Sequence, residues 1–183
     1  MSAFRLPFTL TLACLLLAAC ATQPAPSSSP AATESAAPVA RWDSTRESLR
    51  NALGNIPGII VEDLDEDVLR VRIPATDGFA IGQSTLRPGL VDTLERLLPV
   101  FQAHPDAAID IVGHTDSVGN EMFNLRLSIA RAEAVMEHLR SHGIALLRLT
   151  ADGLGEAEPI ADNATQAGRE ANRRVEILLR ALR

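Results

Sequence analysis

Asp116 and Arg131 are the residues whose types and spacing suggest chemistry. Asp116 stands in the loop Gly113-His-Thr-Asp-Ser-Val-Gly119, and a long helical pattern follows from Asn124 to His142. At about 100° per residue, Leu125, Ile129, Ala132, Met136 and Leu139 form one apolar stripe, which predicts the core face. Asn124, Ser128 and Arg131 form a polar row about a quarter-turn away, beginning at the helix end nearest the Asp116 loop. An aspartate that accepts from an ammonium and an arginine that forks onto a carboxylate, beside a helix N-terminus, would hold a zwitterion. The same spacing also allows Asp116 and Arg131 simply to pair with each other.

Other chemistries find less support. His114 lies close to Asp116, but no nucleophile or second acid has a recognisable setting, so no catalysis is expected. His138 and His142 stand four apart on a helix as a metal pair would, yet no Glu occupies the second position and the sequence offers no third ligand. Asp63, Asp65 and Asp67 alternate as in a calcium loop, but no Gly follows them and no Glu closes the loop. Neither a metal nor a cofactor is therefore expected. All 17 basic residues are Arg, which removes Schiff-base and phosphate-loop lysine chemistry. The formal net charge of −6, with no basic run interleaved with aromatics, argues against nucleic acid.

These residues need a scaffold. With 183 residues, 46% of them hydrophobic, the chain can bury one core. A helix is predicted from Trp42 to Leu53, stopped by Gly54 and Pro57. Ile59-Ile-Val and Val68 to Ile73 flank an acidic turn and predict a β-hairpin. A second helix runs from Pro88 to Gln102, with Leu90, Leu94, Leu97, Leu98 and Phe101 at three- and four-residue spacing. Ala108 to Val112, Arg148 to Gly153 and Arg174 to Leu179 read as strands, and the Gly/Pro/Asn-rich segment 155–172 as a connection. The expected fold class is α/β, an α+β sandwich with helices packed on one face of a mixed β-sheet and preceded by a short helix and β-hairpin.

The front of the chain has a different character. Arg5, the apolar stretch Phe8 to Leu17 and the small residues Ala18-Ala19 have the layout of a secretory signal peptide, too short for a membrane span. Leu17-Ala18-Ala19-Cys20 resembles the lipobox of bacterial lipoproteins, which implies acylation of Cys20 after removal of residues 1–19. Several acyl chains on one residue would hold the protein firmly on its membrane. Cys14 would leave with the leader and Cys20 would carry lipid, so no disulfide is expected in the folded part. Ala21, in place of an aspartate, points by the lipoprotein rule to the outer membrane, with the domain in the periplasm. Residues 20–40 read as the lipidated cysteine and a Pro/Ala/Ser tether.

Five blocks, Gly113-His-Thr-Asp-Ser-Val-Gly119, Asn124-Leu-Arg-Leu-Ser-Ile-Ala-Arg-Ala132, Gly153-Leu-Gly155, Pro159-Ile-Ala-Asp-Asn163 and Gly168-Arg-Glu-Ala-Asn-Arg-Arg-Val-Glu176, together resemble the OmpA-like C-terminal domain. Peptidoglycan-associated lipoproteins and the periplasmic part of MotB-type stator proteins share this domain. The resemblance runs from about Ile73 to Leu179. It divides the chain into an N-terminal extension, 41–72, and an OmpA-like domain, 73–183. It implies non-covalent binding of peptidoglycan through the diaminopimelate of its stem peptide, with Asp116 and Arg131 holding the zwitterion. It further implies that Thr115 and Asn124 line the pocket, that Leu127 touches the ligand's carbon chain, and that one of Arg173 and Arg174, assigned to Arg174, faces the same cleft. Many members read Phe-Asp where this chain reads Phe79-Ala80, so an acid of the pocket is missing here. The implied partners are peptidoglycan and outer-membrane lipid through Cys20. The alternatives are an interaction subunit of an envelope assembly, using a surface in residues 41–72, and a wall-cleaving enzyme.

Overall fold

Alternation along the strands decides which way the sheet faces. In β2 (Val68–Pro74), Leu69, Val71 and Ile73 are buried while Arg70 and Arg72 point to the other side, and in β5 (Arg174–Ala181) Val175, Ile177 and Leu179 are fully buried. This is a computed structural model, and it describes residues 38–54, 56–65 and 68–182. The expected leader, Cys20 and residues 21–37 of the tether lie outside the described residues, as do Glu66 and Asp67 of the acidic turn.

β1 (Ile60–Asp65) and β2 form the expected antiparallel hairpin. With β3 (Ala107–His114), β4 (Leu149–Gly155) and β5 they build one five-stranded sheet in the order β1-β2-β5-β3-β4. β3 and β4 are parallel, and the other pairs are antiparallel, so the sheet is mixed. The parallel pair requires a crossover, which α3 (Glu121–Ser141) supplies. α1 (Pro38–Leu53), α2 (Pro88–Ala103) and α3 share one apolar core with the sheet: Trp42, Leu49 and Leu53 from α1, Leu94, Leu97 and Phe101 from α2, and Ala132, Val135 and Leu139 from α3. The opposite face carries charge: Arg70 reaches Glu62 and Glu176, Arg72 reaches Glu62, and Arg180 reaches Asp110.

Four departures from the expected elements have local causes. α1 opens at Pro38, inside the stretch assigned to the tether, because Pro is compatible with a first helical turn. α3 starts at Glu121, three residues ahead of the predicted start, because the Asn120 side chain caps it by accepting from the Phe123 N–H at 3.0 Å. The connection 155–172 contains α4 (Gln166–Asn172), capped by Thr165, whose hydroxyl accepts from the Gly168 N–H. At seven residues α4 is too short to show an apolar period.

The fourth departure concerns α3 itself. Ala132 and Leu139 are in the core as predicted, but Leu125, Ile129 and Met136 are only half-buried, while the polar row Asn124, Ser128 and Arg131 is buried. The N-terminal half of α3 rests on strand backbone. A Cβ on Gly113 would lie 2.2 Å from the Ser128 carbonyl oxygen, and one on Gly153 would lie 2.3 Å from the Ile129 nitrogen. Glycines at these two positions let helix and sheet touch. Polar side chains then find backbone partners: the Ser128 hydroxyl donates to the Leu125 carbonyl at 2.7 Å and accepts from the Gly155 N–H at 2.9 Å.

Candidate functional site

The loop that follows β3, the first half of α3, the segment after β2 and Arg173 just ahead of β5 enclose a cavity of about 420 Å³. Thr115, Asp116, Asn124, Leu127 and Arg131 all line it. Phe79, Ile81, Val118 and Phe123 contribute apolar walls. The two charged residues singled out in the sequence therefore do meet, but they do not pair. Asp116 Oδ2 pairs with Arg173 Nη1 at 2.5 Å, and Asp116 Oδ1 accepts from the Val118 N–H at 3.0 Å.

Arg131 is held in another way. Its Nε donates to the Gln83 carbonyl at 3.0 Å, and its guanidinium carbon lies 5.0 Å from the centre of the Phe79 ring. Among the described residues Nη1 and Nη2 have no hydrogen-bond partner, and neither is sealed from solvent. Burial, then the charge of Arg173, pushes the Arg131 pKa down, with Asp116 opposing. An arginine nevertheless stays protonated, so the cavity presents two guanidinium groups to one carboxylate. A second anion is electrostatically welcome at the free fork of Arg131.

Asn124 Nδ2 approaches the carbonyls of Asp116 and Val118 at 3.3 and 3.2 Å and Glu156 Oε2 at 3.0 Å, which ties the loop to the helix start. The Thr115 N–H donates to the Gly155 carbonyl at 2.8 Å, while its buried hydroxyl has no partner among the described residues. Leu127 is half-buried on the cavity wall.

Arg174 requires a correction. It points to the other face of the sheet, where Nε donates to Glu176 Oε1 at 2.7 Å and the terminal nitrogens bond the carbonyls of Asn172 and Glu158. Of the two neighbours, Arg173 is the one that lines the cavity. The signal was available in the alternation: Val175, Ile177 and Leu179 face the helices, so position 173 shares their side and 174 does not. Phe79 and the Gln83 carbonyl were missed as supports of Arg131, because only the tertiary fold brings 79–83 beside α3.

His114 is buried, and neither ring nitrogen has a partner among the described residues. Burial first, then the charge of Arg174, outweighs Glu176 and pushes its pKa down to about 4. The unfolded chain takes up this proton near 6.5, so between pH 4 and 6.5 the unfolded state binds more protons and acid costs stability. Urea midpoints are expected to fall as pH drops through this window, and to fall less in His114→Gln. An equal fall in the variant would remove His114 as the cause.

The family model of the OmpA family matches residues 78–173, which include every residue lining the cavity except Ala75 and Thr76. The chain belongs to the OmpA family. Among curated relatives, it is 38% identical over 116 residues to the probable lipoprotein YiaD of Escherichia coli (strain K12), covering 63% of this chain and 53% of that one. It is 42% identical over 101 residues to the peptidoglycan-binding protein ArfA of Mycobacterium bovis, covering 55% and 31%. The matched region thus spans about a third to a half of these relatives. Among solved structures it is similar to a MotB-like protein from Desulfovibrio vulgaris, with TM-score 0.72 and 31% identity over 79% of this chain and 93% of that one. It is also similar to the cell wall anchor of the T6SS from Pseudomonas aeruginosa, with TM-score 0.65 and 30% identity over 73% and 96%. The OmpA-family fold is therefore shared along nearly the full length of both structures.

Proposed function

We propose that this chain binds peptidoglycan without catalysis, by holding the diaminopimelate of the stem peptide between Asp116 and Arg131. The observation that carries this reading is the free fork of Arg131, backed by Phe79 and Gln83 and lying in the same cavity as a carboxylate. Diaminopimelate ends in an ammonium and a carboxylate on one carbon. The carboxylate takes Nη1 and Nη2 of Arg131 in a bidentate pair. The ammonium takes Asp116, whose oxygens each accept more than one bond and so can keep Arg173 and Val118. Thr115 and Asn124 shape the polar end, and Leu127 packs along the methylenes. The names of ArfA and of the T6SS wall anchor support the same ligand.

Residues 1–19 act in this proposal as a leader, acylated Cys20 as the outer-membrane anchor and residues 21–37 as the tether ahead of α1, so that the domain in the periplasm ties membrane to wall. Cys20→Ser is expected to abolish fatty-acid labelling; label retained on that variant would refute the anchor.

The binding test is co-sedimentation with sacculi of two chemistries. Lysine in place of diaminopimelate removes the carboxylate that Arg131 would hold, so pelleting is expected with diaminopimelate-type sacculi and not with lysine-type ones. Equal pelleting with both would remove the zwitterion site, and release of soluble muropeptides would instead make the protein an enzyme.

A further inference from the structure

α2 and α3 bring together three side chains that the cavity does not use. Glu95, His138 and His142 each offer a potential ligand atom, and these atoms all lie within 4.8 Å of one another. The two histidines are one turn apart, with ring centroids 4.2 Å apart. Glu95 arrives from the neighbouring helix, so the pair acquires the third ligand that spacing along α3 does not provide.

The rings are prepared for a cation. His142 Nδ1 lies 2.7 Å from the His138 carbonyl oxygen, which can only accept, so the proton is on Nδ1 and the ring's lone pair is on Nε2. A backbone carbonyl on one ring nitrogen is the usual orienting partner of a metal-bound histidine. His138 Nε2 is buried with no hydrogen-bond partner among the described residues. The cluster also lies at the C-terminal end of α3, where the helix dipole favours positive charge.

We propose that Glu95, His138 and His142 bind a divalent transition ion of the zinc class, with water completing the coordination. Two imidazoles and one carboxylate suit zinc and disfavour calcium or magnesium, which take oxygen ligands. Ligand atoms around tetrahedral zinc lie about 3.4 Å apart, so closure needs movements of about 1 Å. Glu95 and His142 are exposed and can make them by side-chain rotation. The ion would clip α2 to α3 about 20 Å along the helix from Asn124, far from the wall-binding cavity.

The test is calorimetric titration of the tag-free full-length protein with zinc chloride after chelator treatment, repeated with cobalt(II) read by visible absorption. One zinc per chain is expected, with the absorption of four-coordinate cobalt. His138→Ala and His142→Ala should each weaken binding by at least about tenfold, since even an outer-shell partner is worth that much. Glu95→Gln should weaken it with the fold intact, and His104→Ala, outside the cluster, should titrate like wild type. No saturation by zinc up to about 1 mM, or equal binding by wild type and all three cluster variants, would overturn the site.

Discussion

Arg131→Ala is expected to lose about 2–5 kcal/mol of affinity for diaminopimelate-type sacculi, enough to remove it from the pellet at concentrations where wild type is retained. The size follows from the setting of the guanidinium. Its Nε is held by Gln83 and its face by Phe79, so the ordering of a long side chain is complete before ligand arrives, and only Nη1 and Nη2 have bonds still to form. Removing it leaves the ligand carboxylate desolvated and unpaired. Arg131→Lys should recover only part of the loss, because an ammonium cannot fork onto a carboxylate and does not stack on Phe79 as a planar group does. Asp116→Ala should lose a comparable amount, since it removes the ammonium's acceptor and leaves Arg173 and Arg131 facing each other across the cavity. Unchanged pelleting by folded Arg131→Ala would end the assignment of this residue.

Gly153→Ala is expected to destabilise the domain by about 3–5 kcal/mol. The added Cβ would sit 2.3 Å from the Ile129 nitrogen, 2.4 Å from Ser128 Oγ and 2.7 Å from the Ser128 carbonyl carbon. Two of these three are helix backbone, so no rotamer change relieves the contact. α3 would have to lift from β4, which breaks the bond from the Gly155 N–H to the Ser128 hydroxyl and displaces the helix start that carries Asn124. The variant should therefore show a lower urea midpoint with an unchanged m-value, and weaker wall binding as a second consequence. Gly89→Ala, where a Cβ meets nothing within 4 Å, is the control expected to stay near wild type. A Gly153→Ala midpoint within error of wild type would mean that the helix is not seated as described.

The sheet was legible because β2 alternates, β3 and β5 carry short apolar runs, and glycines and prolines punctuate the strands; the β1–β2 hairpin follows from two apolar runs flanking an acidic turn, and the long helices from their period. α4 was not legible, since seven residues without an apolar stripe resemble any polar connection. The buried polar row of α3 misled for a related reason. A helical wheel sorts residues by hydrophobicity, but Asn124 is satisfied by carbonyls of the 113–119 loop and by Glu156, and Ser128 accepts from the Gly155 N–H of β4, a close approach that the glycines of β3 and β4 admit. Around the cavity, Asp116 and Arg131 could be read from a loop followed by a helix row. Their failure to pair could not, because the competitor, Arg173, lies in sequence beyond β4 and α4, and the carbonyl that holds Arg131 belongs to Gln83. The choice between Arg173 and Arg174 was readable from strand parity. Glu95 beside His138 and His142 was not, since nothing in the period of α2 says which of its residues meets the end of α3.

The most direct measurement is titration of the isotope-labelled domain with a diaminopimelate stem peptide, followed residue by residue in NMR spectra. Saturable shifts are predicted at Thr115, Asp116, Asn124 and Leu127 and at the Arg131 and Arg173 guanidinium groups, absent with the lysine-containing peptide. Shifts gathered instead on α1 and the β1–β2 hairpin, with the cavity silent, would contradict the account and move the function to that extension.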